Sequence, residues 1–447
     1  MAPALDSGTV FNNVYYFPAY DAEHGGELWR TDGTLAGTLQ LGDIWSGARD
    51  SLPAGFGTCG VRLCFSADDG VHGRELWSTD GTWAGTSLVD DLNTQPASAY
   101  PQGFVSAANL LYFFARDAVG PYNLWRTNGA SNGTLALNLD PNVEILPGWQ
   151  SGNQNLAAVG DSLFFTASDP GHGEELWVSD GSQTGTKQFL DIWPGILASM
   201  PDNLTSAGNR LFFTAVDPQV DRALWVTDGT PAGTQRIFTA PDEVASAYWT
   251  IIGYGEQVIF GLISEKQEYC KVWRTDGTQD GTVMLLENVC LRQGALYNNR
   301  LYFSGSNYLG WPQSLWSTDG TMLGTQPVVL DLPDESVDAF EQMVPTQSGL
   351  YISVWGFFEE NGSMLYRITP SGIGSGPLIT FSESLGMRIQ EMAGFGQQLG
   401  LIVTDFIPGS QPSNYEIWVS DGTPEGTQMV RSNLAAANHL TPVEDAL

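Results

Sequence analysis

Short apolar runs cut by Gly, Asp and Asn follow one another along the whole chain, and apolar positions nowhere recur at helical spacing. Residues 155–192 carry the pattern most plainly. Asn155-Leu-Ala-Ala-Val-Gly leads to Ser162-Leu-Phe-Phe-Thr-Ala-Ser and then to Glu175-Leu-Trp-Val-Ser. The turn Asp180-Gly-Ser-Gln-Thr-Gly-Thr and the run Lys187-Gln-Phe-Leu-Asp-Ile complete the unit. β-Branched and aromatic runs bounded by such residues predict four short strands. The second run is apolar at consecutive positions, as in Tyr15-Tyr16-Phe17, Leu163-Phe164-Phe165, Leu211-Phe212-Phe213 and Leu301-Tyr302-Phe303. Neighbouring strand residues point to opposite faces, so this strand must be buried on both.

The unit repeats. The pattern L-W-x-x-D-G-x-x-x-G-T places its Trp at 29, 77, 125, 177, 225, 273, 316 and 418, with Tyr366 in the same register. Four strands in about 48 residues predict a propeller blade, whose sheet stacks face to face on the next. The expected fold is therefore all-β: a single β-propeller of nine four-stranded blades, with eight as the alternative. The blades are read as 4–46, 47–94, 95–142, 143–194, 195–241, 242–289, 290–333, 334–384 and 385–435, with 436–447 as a tail able to pair beside the N-terminus. In Thr31-Asp32-Gly33-Thr34 the Asp side chain is expected to accept amides ahead of it while Gly takes positive φ. One carboxylate per turn falls short of the ~6–8 oxygens of a calcium site.

Composition narrows the class. With 50 acidic against 18 basic residues the formal charge is −32, which argues against nucleic acid and anionic membranes as partners. Aromatics at 11% mark a folded protein rather than an acidic disordered tail. No apolar run approaches the ~18 residues of a membrane span. The start, Met1-Ala-Pro-Ala, has no charged and apolar leader, as when a signal peptide has been removed. The four cysteines form two close pairs. Cys59 and Cys64 flank a turn between strands one and two of blade two. Cys270 and Cys290 are read as lying on the outer strands either side of the sixth repeat's hairpin. Two disulfides are expected, and with them an oxidising, extracellular or cell-surface location.

The motif G-x-E-L-W-x-(S/T)-D-G-T-x-x-G-T, followed by an Asp-Ile-x-Pro-Gly stretch, resembles the ELW/DGT (hyalin-like) repeat proteins of myxobacteria and related bacteria. The resemblance covers all nine repeats, faintly in the eighth. It implies secretion or surface display and a propeller, and no particular reaction.

Blade topology puts the Asp-Gly turns and the strand one-to-two turns on one face. The strand two-to-three hairpins and the blade-to-blade connections share the other, where sequence varies and function is expected. Three hairpins there carry Asp21/His24/Glu27, Asp69/His72/Glu75 and Asp169/His172/Glu175. Each reads either as local backbone bonding or as ligands for a divalent cation such as calcium, the one cofactor these loops admit. The connections carry Trp45, Tyr100, Trp149, Trp193, Tyr248 and Trp249, which suit carbohydrate stacking or plug gaps between blades. Gly129-Ala-Ser131-Asn-Gly133 spells a nucleophile elbow but sits in the Asp-Gly turn register and precedes no helix. The expected function is a secreted, monomeric, non-enzymatic recognition or scaffold propeller whose partner is a glycan or cell-surface protein. The alternative is a glycan-active lyase or hydrolase with its site at the channel mouth, where repeat eight and Asp334–Glu341 break the pattern.

Overall fold

The computed structural model describes residues 8–94, 97–117, 121–137, 139, 142–145, 155–240, 248–264, 269–307, 313–331, 339–356, 362–369, 376–381, 387–405 and 414–435. It is all-β, a nine-bladed propeller with four antiparallel strands to each blade. Blade one runs Thr9–Phe11, Val14–Asp21, Gly25–Thr31 and Leu39–Gln40, in that spatial order. Every later blade repeats the meander, down to Met387–Phe395, Gln398–Asp405, Asn414–Ser420 and Gln428–Ala435 in blade nine. Blade four also gains a short piece, Glu144–Ile145, on the first-strand side of its second strand. The tail 436–447 lies outside the described residues.

The doubly apolar second strand is buried on both faces, as its composition requires. Tyr16 joins Leu63, Phe65 and Trp77 of blade two, whereas Tyr15 and Phe17 face Phe395, Ile402 and Ile417 of blade nine. That second cluster closes the ring without strand exchange, because blades one and nine each hold four consecutive strands. Half-buried Glu391 of blade nine, accepting from the Tyr15 hydroxyl and the Gly8 amide, ties the seam, and Arg431 lies over Trp29.

Each letter of the Asp-Gly motif has a bond behind it. Asp32 Oδ1 accepts from Thr34 N at 2.9 Å and Thr34 Oγ1 at 2.7 Å. Thr34 Oγ1 accepts from Gly37 N, and Thr31 and Thr38 share a hydroxyl contact of 2.6 Å. Gly33 sits at φ +90°, a conformation side chains resist. Arginines clasp neighbouring blades through these turns: Arg30 donates to Gly81 O, Arg210 to Asp276 O and Arg367 to Gly422 O. Much of the chain's scarce positive charge is thus spent holding the ring.

Both disulfides form. Cys59–Cys64 joins strands one and two of blade two, as expected, with Cα atoms 5.8 Å apart. Cys270–Cys290 departs from expectation. Blade six ends its fourth strand at Glu287, so Cys290 opens the first strand of blade seven and bridges the third strand of blade six. The link follows from the tight crossing at Asn288, whose N–H donates to Cys270 O at 2.8 Å. It is a staple between blades, not within one.

Candidate functional site

Three of the blade connections are built on one frame, and the Glu of Glu-Leu-Trp makes it. Glu27 is fully buried and accepts from the amides of Ile44 (2.9 Å), Trp45 (3.2 Å) and Ser51 (3.3 Å) and from Ser51 Oγ (2.7 Å). Glu75 takes Leu92 N and Ala99 N, each at 2.9 Å. Glu175 takes Ile192 N, Trp193 N, Ser199 N and Ser199 Oγ. Burial pushes these carboxyls up, Glu27 to about 7 and Glu75 to about 8, while the donated hydrogen bonds pull them back. Each connection ends on a residue at positive φ, namely Leu52, Tyr100 and Met200, whose amide returns to Gly26 O, Arg74 O and Glu174 O respectively. A non-Gly residue with such a φ is rare, and its recurrence at one register shows how tightly the frame is set.

In the hairpins the bonding is local, the first of the two readings. The Glu carboxylates point into the connections, away from the Asp and His. The Asp residues accept from hairpin amides, as Asp21 does from Glu23 and His24, and from the His ring at 2.7–3.0 Å. The paired Asp raises each of His24, His72 and His172, and the His in turn lowers its Asp. No group of three or more His, Cys, Asp or Glu side chains able to hold a metal occurs among the described residues.

The six candidate aromatics are not brought together. Trp249 is buried in the core, stacked on Phe260 with centroids 6.0 Å apart. Trp45 plugs the junction of blades one and two: a Cβ on Gly70 of the facing hairpin would lie 2.4 Å from its indole, and Arg49 covers its ring. Tyr100 and Tyr248 are exposed at separate junctions, and Trp149 lies outside the described residues, as does most of Asp334–Glu341. Trp193, half-buried, is the one of the six that lines a cleft among the described residues.

That cleft, between blades four and five, holds about 550 Å³, within the ~300–1,000 Å³ range of ligand sites. One wall is the blade connection with Trp193, Leu197 and Met200. The other is the strand two-to-three hairpin of blade five, with Val216, Pro218 and Val220. Leu197 and Met200 are 54% and 51% exposed, and Ile196 beside them 75%. These exposed apolar side chains beside an indole make the cleft the candidate binding site. Sequence reasoning selected Trp193 and missed the rest. The available signal was the run Ile196-Leu197-Ala198 where the corresponding connection of blade one reads Ala48-Arg49-Asp50.

No protein-family model matches the chain, and no curated protein is similar to it. Solved structures do resemble it. A prolyl endopeptidase is similar over 74% of this chain and 49% of its own, at 11% identity and a TM-score of 0.44. A puromycin hydrolase is similar over 80% and 60%, at 11% identity and 0.42. The propeller domain of the Trilobed protease from Pyrococcus furiosus is similar over 78% and 98%, at 14% identity and 0.39. The chain spans about half the length of the endopeptidase. At these identities the likeness is one of fold. It corrects the expectation of a non-enzymatic recognition or scaffold propeller: the resembling propellers belong to peptidases and a hydrolase, so the fold gives no ground for setting the chain apart from enzymes.

Proposed function

We propose that this chain is the substrate-engaging propeller of a peptide-hydrolysing enzyme, and that the cleft between blades four and five receives an apolar stretch of the peptide. The cleft carries this reading, not the likeness of fold. Its walls are aliphatic around a single indole, which suits a hydrophobic side chain better than a sugar. A sugar needs several free hydrogen-bonding groups, yet Asp217 and Gln219 are both engaged by Arg236. Of the enzymatic alternative, the hydrolytic part is therefore kept and the glycan part replaced by a peptide. The frame is stiff, since Glu175 pins the connection and Val216 N donates to Ser199 O at 2.8 Å across the junction. A site held this way binds with little ordering cost. The two disulfides support work in an oxidising compartment outside the cytosol. The recurrence of Leu-Trp in six of the nine repeats, and of Asp-Gly-Thr in six, supports kinship with the ELW/DGT repeat proteins.

The test is titration of the chain with short fluorescent peptides carrying Leu, Phe or Ser at one position, beside a panel of oligosaccharides. Leu and Phe peptides are expected to bind, with Trp193→Ala weakening them about tenfold or more. Binding only to saccharides, or peptide binding indifferent to Trp193→Ala, would overturn the reading.

A further inference from the structure

Resting on the reading above, we infer that the segment bound in the cleft carries a basic side chain next to its apolar one, with the Asp221 carboxylate at the rim as its counter-charge. The charges around the cleft support this by elimination. Asp217 is buried, accepts from Gln219 N (2.7 Å) and Val220 N (3.1 Å), and is neutralised by Arg236 at 2.7 Å. Gln219 Oε1 accepts from the same guanidinium. Arg222 donates to Met200 O at 3.3 Å and Thr214 Oγ1 at 3.0 Å, beneath the apolar wall. Its charge acts on Glu174, which also feels Asp202. Of these two cations, Arg236 is thus held by Asp217, and Arg222 is bonded to Met200 O and Thr214 Oγ1.

Asp221 differs from all of these. It lines the cleft directly after Val220, is exposed, and has no hydrogen bond or ion pair among the described residues. A ligand whose apolar side chain enters between Leu197 and Val220 brings its neighbouring residue to this carboxylate. Lys or Arg there gains a partner, and Asp or Glu meets like charge. The formal charge of −32 over the whole chain adds a long-range pull of the same sign.

Two peptides that differ only in Lys or Glu beside a common Leu, with a third carrying Gln, decide the matter. They are titrated calorimetrically at low salt against the unaltered chain, Asp221→Asn and Asp161→Asn. Asp161 is an exposed carboxylate in the strand one-to-two turn of blade four, on the opposite face, and controls for loss of one charge. The expected result is tighter binding in the order Lys, Gln, Glu. Asp221→Asn should shrink the Lys-to-Glu gap by about three- to fivefold, as an exposed ion pair allows, and leave the Gln peptide unchanged. Asp161→Asn should shift the gap by less than about twofold on the same reasoning. A gap absent from the start, or equally altered by both substitutions, overturns the assignment to Asp221 and leaves the cleft reading standing. If none of the three peptides binds, both fall.

Discussion

The junction of blades one and two and that of blades four and five are the same piece of architecture put to different ends. Both have a buried Glu bonded to the connection, a Trp one residue past the first pinned amide, and a final residue at positive φ. Their hairpins are equally long and begin with an Asp that caps the turn: Asp69 accepts from Val71 and His72, Asp217 from Gln219 and Val220. The difference lies in a few side chains. Gly70 lets Trp45 lie flat on the hairpin, and Arg49 covers it from above. Pro218 stands where Gly70 would be, and Leu197 where Arg49 would be, so Trp193 stays at the wall of an open cleft. A rigid repeated frame thus lets local substitution open a site without disturbing the ring.

The largest effect should come from breaking what the junctions share. Glu27→Ala and Glu175→Ala each leave three buried amides without their acceptor, at a cost of about 3 kcal/mol. Equilibrium denaturation should show similar losses for the two, whereas peptide binding should disappear only with Glu175→Ala. Equal loss of binding in both would show that the junctions are not independent.

Acidity offers a second way to sharpen the comparison, through the junction of blades two and three. Burial raises Glu27 to about 7 and Glu75 to about 8, above the usual 4.5, so the folded chain retains protons that the unfolded chain releases. The stability this contributes is fully present below about pH 4.5 and is lost as pH rises through about 7 and 8. Denaturation at pH 5.5 and 8.5 should therefore show greater stability at the lower pH, by a few kcal/mol at most. Glu75→Gln, neutral at every pH, should flatten that slope, and an unchanged slope would place the titration elsewhere.

Closure at blades one and two can also be undone directly. Gly70→Ala adds a Cβ that must displace Trp45 at a residue held at φ +74°. We expect a loss of about 1–3 kcal/mol and a shift of tryptophan emission towards that of an exposed indole. Retained emission would mean that Trp45 does not depend on Gly70.

Much of this fold is legible in the sequence because the repeat imposes it. Consecutive aromatics such as Leu211-Phe212-Phe213 demand burial on both faces, and Asp32-Gly33 demands its turn. The site is less so. Glu27, Glu75 and Glu175 sit near His in sequence and invite a metal reading, yet their partners Ser51, Ala99 and Ser199 lie 24 residues on, across a blade boundary that no local period reports. Cys290 misleads for the same reason, lying three residues past the last strand of blade six. Between Trp45 and Trp193, the residues against each ring, Gly70 and Arg49 or Pro218 and Leu197, separate a plug from a binding wall. That contrast emerges once the hairpins are laid over one another.

The most direct test of the account exchanges the covering residue between the two junctions and reads Leu-peptide affinity. Leu197→Arg should abolish binding while changing stability by less than about 0.5 kcal/mol, and Arg49→Leu should create no new site because Gly70 still receives Trp45. Undiminished binding by Leu197→Arg would contradict the claim that the open junction of blades four and five is where this propeller meets its substrate.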